Sequence, residues 1–177
     1  LLVEEALAEL RQLVDASVLE VGTGSGAVAV SVAAEAPAAR VVATEISAAA
    51  LRFAALNAAA HAPGVQLVHA NLADPIRTAD IVVANLPYIP SDEIDALEPE
   101  VSRWEPRVAL DGGTDGLQLV RELIDDCGQR LRPRLLALEV GFGQADTVAR
   151  LGRLAGAEVR VKSDLAGIDR VVCLRWR

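Results

Sequence analysis

The sequence predicts an α/β fold: a seven-stranded, mostly parallel sheet with helices on both faces and a C-terminal antiparallel hairpin. Three observations predict it. Apolar, β-branched runs alternate with helical patterns, as βαβ units require. A glycine-rich turn joins the first run to a helix. The last two runs lie too close in sequence for a parallel crossover.

Taken in order, residues 2–14 carry an amphipathic helical pattern. Residues 17–21 read as the first strand and 25–35 as the helix that follows. Residues 40–44 form the second strand, ending at Glu45. Ser47 is placed to cap a helix reaching His61, where Ala-rich steps give high propensity. Residues 65–69 and 80–84 are the third and fourth strands. Residues 86–114 then form a long irregular stretch with four prolines and a Gly112-Gly113 pair. Loops of this length inside compact domains are usually functional. A helix over 115–130, a fifth strand over 134–140 and a helix over 144–154 follow. Residues 159–163 and 170–176 close the chain, and the short Asp164–Asp169 connection makes them an antiparallel hairpin. One strand of the sheet is thereby reversed.

A length of 177 residues fits one domain over 1–177 with a substantial core. Apolar residues make up 52% of the chain but aromatics only 3%, so that core is built from Ala, Val and Leu. No apolar run is long enough to span a membrane, and the start does not read as a signal peptide, which predicts a cytoplasmic protein. The net charge of −8 argues against broad nucleic-acid binding, which needs a basic surface. Cys127 and Cys173 have neither metal-ligand nor disulfide spacing and sit in apolar patterns as core thiols. The chain contains no Met and begins in mid-helix, so it reads as a fragment whose N-terminal part is missing.

Two motifs carry chemistry. Glu20-Val21-Gly22-Thr23-Gly24-Ser25-Gly26 leaves the first strand and enters a helix whose N-terminus presents free N–H groups. Read through Ala27, it also fits a dinucleotide fingerprint, or simply a tight strand–helix turn. Glu20 would repel a pyrophosphate, whereas it can meet the cationic amino end of S-adenosyl-methionine, commonly through water. Glu45 lies where an acid grips both hydroxyls of a ribose, or else where it favours the first turn of the next helix. Asn71 and Leu72 follow the third strand, where Asn71 can meet an adenine amine, or serve only as a turn residue. His61 and His69 lack partner constellations and read as surface or capping residues.

The second motif is Asn85-Leu86-Pro87-Tyr88, at the end of the fourth strand, where open α/β sheets bind ligands. It suits holding a planar –NH2 nitrogen. Asn85 offers a carbonyl acceptor, Pro87 fixes the backbone so that the Leu86 carbonyl is a second, and Tyr88 supplies a ring to stack on the flat group.

In order and spacing, the glycine loop, Glu45 and Asn85-Leu86-Pro87-Tyr88 resemble Rossmann-like class I S-adenosyl-methionine-dependent methyltransferases of planar nitrogens. Glu98-Pro99-Glu100-Val101, Trp104-Glu105-Pro106-Arg107-Val108-Ala109-Leu110, Gly112-Gly113 and Asp115-Gly116-Leu117 narrow this to the release-factor glutamine N5-methyltransferases. So does the ending Asp164-Leu165-Ala166-Gly167-Ile168-Asp169-Arg170-Val171-Val172. The resemblance implies methyl transfer from S-adenosyl-methionine to a glutamine amide nitrogen of a protein, a peptide chain release factor, leaving S-adenosyl-homocysteine. It implies a cofactor site of Glu20, Gly22, Thr23, Gly24, Gly26, Glu45, Ile46, Asn71, Leu72 and Asn85. The catalytic group would be Asn85, Leu86, Pro87 and Tyr88. Arg107 and Glu105 either border the substrate entrance or form an ion pair pinning the long loop. Asp164 and Arg170 brace the hairpin, and Trp104 and Trp176 pack. The family also carries a small N-terminal helical domain that this chain lacks.

Two positions depart from the family pattern. Leu86 stands where Pro is common, and Asn-Leu-Pro-Tyr also occurs in rRNA adenine dimethyltransferases. Asn71 replaces a commoner Asp. The alternatives are therefore an adenine-N6 methyltransferase on RNA or DNA, an NAD-binding module, and a non-catalytic cofactor-binding scaffold.

Overall fold

The Val- and Leu-rich runs form the strands of one sheet in a computed structural model that describes residues 1–98 and 106–176. The strands are β1 (Ser17–Val21), β2 (Arg40–Glu45), β3 (Gln66–His69), β4 (Ile81–Ala84), β5 (Leu135–Glu139), β6 (Glu158–Ser163) and β7 (Asp169–Arg175). Their order is β3-β2-β1-β4-β5-β7-β6. Strands β1 to β5 are mutually parallel, and β7 is antiparallel to both β5 and β6. The single reversed strand is as the sequence predicts. Its seat between β5 and β6 is a matter of pairing that the local pattern does not encode.

Among the described residues, five helices cover the sheet: α1 (Leu2–Leu10), α2 (Ala27–Glu35), α3 (Ala48–His61), α4 (Gln118–Asp126) and α5 (Ala145–Leu154). The period-2 alternation of the strands sorts the core into two layers. Leu19, Val21, Val82 and Leu136 pack against Leu123 of α4 and Val148 of α5. Val18, Ala43, Ile81 and Val83 face Ala6 of α1, Val32 of α2 and Ala58 of α3. Burial on both faces explains why β4 is an unbroken apolar run and why β1 and β5 are largely apolar, with exceptions such as Glu20 and Glu139.

Element ends move for local reasons. Helix α1 stops at Leu10 rather than 14, and the chain turns into β1 through Asp15 at φ 54°. Helix α2 starts at Ala27 rather than 25, because Gly26 is left-handed. Helix α4 starts at Gln118 rather than 115, because Gly116 has φ 72° and the Asp115 carboxylate accepts the Leu117 N–H. It ends in a wide turn, Cys127–Leu131, instead of running on to 130 as an α-helix. Ser47 caps α3 by accepting the Ala50 N–H at 3.3 Å. Asp164 accepts the Ala166 and Ile168 N–H groups and pairs with Arg170 at 3.3 Å, bracing the hairpin turn as expected. Trp176 packs with its indole N–H on the Ala155 carbonyl. Cys127 and Cys173 are buried, and burial pushes their thiols up to about 12 and 11.

Helix α1 docks through charges that the apolar pattern does not announce. Glu5 and Glu9 are buried, yet Glu5 pairs with Arg160 and Lys162, and Glu9 with Arg175 at 2.6 Å. The first helix is thus tied to the C-terminal hairpin. Among the described residues, no helix is long and apolar enough to cross a membrane.

For the site, one register matters most. Val21 of β1 pairs with Thr44 of β2 on one side and Ala84 of β4 on the other. The chain leaves β1 toward β2 and β3 in one direction and returns to β4 in the other. The gap beyond Val21 is therefore the topological switch point of the sheet.

Candidate active site

A cavity of about 900 Å³ opens at that switch point. The glycine loop, the end of β2, the Asn71-Leu72 turn and the segment after β4 line it. Its outer wall includes Pro106, Arg107, Val108 and Ala109 of the long loop.

The glycine loop is held by hydrogen bonds. The Gly22 and Thr23 N–H groups both donate to the Thr44 carbonyl at 3.0 Å, and the Gly26 N–H donates to the Thr23 carbonyl at 2.8 Å. Gly22 (φ 71°) and Gly26 (φ 84°) are left-handed. A Cβ on Gly22 would stand 3.2 Å from Leu86 Cδ2, and one on Gly26 3.2 Å from Ala54 Cβ. Glycine is therefore required at these two turns on both conformational and packing grounds.

Two carboxylates flank the loop. Glu45 is buried; one oxygen accepts the Gly24 N–H and the other the Ser47 N–H, each at 2.8 Å. It clamps the glycine loop to the start of α3, and each oxygen keeps a further lone pair. Glu20 Oε2 accepts the Thr23 hydroxyl at 2.5 Å and the Ala29 N–H at 2.8 Å. Burial raises its pKa to about 7, against the lowering pull of those hydrogen bonds and with a further push from the Glu45 charge. Both of its bonds fall on Oε2, so Oε1 stays available on the cavity wall. The sequence reading has Glu20 facing a ligand; the fold first uses it to anchor α2.

Ile46 lines the cavity with half its surface exposed, and His69 Nε2 holds the Ile46 carbonyl at 2.8 Å. His69 is thus a loop tie, consistent with its expected non-catalytic role. Asn71 and Leu72 also line the cavity, and Leu72 adopts φ 43°, an uncommon conformation for a large side chain.

Beyond the fully buried β4, the chain surfaces abruptly. Asn85 is exposed on the cavity wall, and among the described residues its side-chain amide has no hydrogen-bond partner. The Leu86 carbonyl likewise has none among them, while the Leu86 side chain is buried against Gly22. Pro87 completes this wall. Tyr88 corrects the sequence expectation in part. Its side chain is not among the cavity walls; its ring lies against Gly141, close enough that a Cβ there would stand 2.9 Å from Cδ2.

Arg107 is placed on the cavity wall and also braces the loop. It lines the cavity, and it pins the loop by donating to the Ser91 carbonyl at 3.0 Å while pairing with Asp95 and Asp111. Readings for Pro99, Glu100, Val101, Trp104 and Glu105 fall outside the described residues. Sequence reasoning missed three residues in or supporting the site. Asp111 accepts the Ser91 hydroxyl at 2.6 Å and the Gly113 N–H at 3.0 Å, and these bonds hold its carboxyl below the usual range. The Asp-Gly-Gly turn was its available signal. Arg130 donates to the Ala73 and Ile76 carbonyls and so fixes the loop after β3. Gln144 donates to the Tyr88 carbonyl at 2.8 Å.

With this geometry in hand, comparison with known proteins is specific. Residues 2–97 match the methyltransferase small domain family. A release factor glutamine methyltransferase of Gloeobacter violaceus is 46% identical over 97% of this chain and 62% of its own length. One of Geobacter sulfurreducens is 41% identical over 97% of this chain and 61% of its own. The chain therefore spans about three fifths of the length of these curated relatives. The crystal structure of a release factor-specific protein-(glutamine-N5) methyltransferase from Alicyclobacillus acidocaldarius superposes with a TM-score of 0.60. It is 34% identical, with 98% of this chain and 88% of that one covered.

Proposed function

The chain belongs to the release factor glutamine methyltransferases, within the methyltransferase small domain family, and from that premise we propose that it methylates the side-chain amide nitrogen of a glutamine in a peptide chain release factor. The observation that carries this reading is the pair of acceptors, the Asn85 amide and the Leu86 carbonyl, unpartnered among the described residues and lining a cavity of cofactor size.

The residues present suit S-adenosyl-methionine. Glu20 and Glu45 match a cationic amine and a ribose diol, and Ile46 and Leu72 supply apolar walls for a base. Gly22, Thr23, Gly24 and Gly26 keep the backbone thin enough for close approach, and Asn71 completes the set. When bound, that cofactor supplies an electrophilic methyl group on a cationic sulfur.

The chain's own residues then act on the acceptor. A glutamine nitrogen is a poor nucleophile because its lone pair is delocalised into the carbonyl. The Asn85 side-chain oxygen accepts one of its N–H bonds and the Leu86 carbonyl accepts the other. This orients the nitrogen and stabilises the positive charge it gains as the new bond forms. Pro87 fixes the backbone between Leu86 and Tyr88. The extra proton leaves to water after transfer, so no strong general base is required. Leu for Pro at position 86 leaves the accepting carbonyl in place. A release factor substrate implies a cytoplasmic site of action.

The test is transfer of labelled methyl from S-adenosyl-methionine to intact release factor, to total RNA and to buffer alone. Label on a release factor glutamine supports the reading. Label on RNA adenine alone replaces it with the nucleic-acid alternative that the Asn-Leu-Pro-Tyr form also admits. Label on neither contradicts both.

A further inference from the structure

Gln144 stands at the start of α5, and its side-chain amide bridges two loops. Its Oε1 accepts the Gly141 N–H at 2.9 Å, and its Nε2 donates to the Tyr88 carbonyl at 2.8 Å. Those partners dictate its orientation, since a backbone N–H needs an acceptor and a carbonyl needs a donor. A neutral carboxamide supplies both at once. Gln144 is itself well footed. Its N–H donates to the Gly141 carbonyl at 3.1 Å, and its carbonyl receives the Val148 N–H in the first turn of α5.

Gly116 lies close beside the Tyr88 carbonyl and the Gln144 amide. A Cβ on Gly116 would stand 2.3 Å from the Tyr88 carbonyl oxygen and 3.0 Å from Gln144 Nε2. Only a residue without a side chain fits beside this bond. Upstream of Tyr88, Pro87 removes one backbone freedom. A short, stiff path therefore runs from the Gln144 amide to the Leu86 carbonyl.

We propose that Gln144 is a positioning residue for methyl transfer: by holding the Tyr88 carbonyl it fixes the backbone that aims the Leu86 carbonyl and the Asn85 amide. This inference rests on the reading of those two groups as the acceptor site. It differs from a merely structural role in what it moves, which is the rate of transfer rather than cofactor binding or folding. Misplacement of an oriented group by about 1 Å can cost on the order of 100-fold in rate.

The test uses two variants. Gln144→Glu keeps the acceptor for Gly141 but sets an anionic oxygen against the Tyr88 carbonyl. At about pH 8.5 its kcat on release factor falls roughly 10- to 100-fold, with KM and S-adenosyl-homocysteine affinity within about threefold of wild type. As pH falls toward about 4.3, the ordinary glutamate value, the glutamate takes up its proton and becomes a donor, and its kcat relative to wild type recovers. An unchanged kcat, a loss carried by KM alone, or a loss indifferent to pH overturns the proposal. Gln144→Met keeps the length and removes both hydrogen bonds. The chain has a single tyrosine, so carbonyl-labelled tyrosine gives one carbon resonance, that of Tyr88. It moves upfield in the Met variant; an unmoved resonance overturns the proposal even where activity is lost. A wild-type protein inactive on release factor, with the resonance still moved, overturns the functional reading and leaves the hydrogen bond standing.

Discussion

On the β1–β2 side of the cleft the polar groups are bonded to one another, whereas at the end of β4 they are not. Gly22, Thr23 and Gly24 each donate to β2, and Glu45 is engaged through both oxygens. Across the switch point, the Asn85 amide and Leu86 carbonyl are free among the described residues. The first region is pre-organised as a binding surface, so little ordering is left for its ligand to impose. The second holds acceptors in reserve for a substrate that completes them. On the proposed reading, binding and chemistry fall to different strand ends that meet at one point.

The largest expected effect tests that division from the β4 side. Asn85→Ala lowers the rate of methyl transfer at saturating cofactor by roughly 100- to 1,000-fold, the usual cost of deleting one oriented electrostatic contact. Steady-state assay with release factor checks it, and full activity would erase the distinction between the two regions.

The next effect belongs to the bonded side and is one of stability. Folded Glu20 keeps its proton up to about pH 7, while an unfolded glutamate releases it near 4.5. Between these values the folded state binds more protons, so stability falls as pH rises through the window and levels off above it. The loss is on the order of 3 kcal/mol. The carboxyl groups of Asp80, Asp111, Asp115 and Asp164 are all held low and are already ionised in this range. Urea denaturation at intervals from about pH 5 to pH 8 reads the slope, and Glu20→Gln should flatten it.

How much of this division was legible beforehand depends on the kind of signal. The strands were, because β1, β4 and β5 are buried on both faces and are therefore mostly apolar. Gly22, Glu45 and Asn85 were, because each sits at a strand end where residue type and position speak together. The roles of Gln144, Asp111 and Arg130 were not. Each bonds a partner in a distant loop, 20 to 57 positions away in sequence: the Ser91 hydroxyl for Asp111, and the Ala73 and Tyr88 carbonyls for Arg130 and Gln144. The contact of the Tyr88 ring with Gly141 was hidden for the same reason, since only tertiary folding brings the two together. Buried Glu5 and Glu9 looked like the polar face of a surface helix until β6 and β7 supplied their cations.

A smaller effect sharpens the comparison from the β2 side. Glu45→Ala removes the acceptor for Gly24 and Ser47 and the proposed ribose contact. Cofactor affinity should fall about 10- to 100-fold, as loss of hydrogen bonds to a charged group implies, with kcat at saturation preserved. Calorimetry with S-adenosyl-homocysteine reads it. The smallest change is a gain. Asn71→Asp introduces a charged acceptor at the cavity edge and should tighten cofactor binding roughly two- to fivefold, again without altering the saturated rate.

The most direct measurement is a paired calorimetric titration of wild type and Asn85→Ala with S-adenosyl-homocysteine. The account predicts that both bind, with affinities within about threefold of each other, because the bonded half of the cleft is intact in each. Loss of binding in the variant would show that Asn85 belongs to the cofactor half, and absence of binding in wild type would contradict the assignment of the cleft itself.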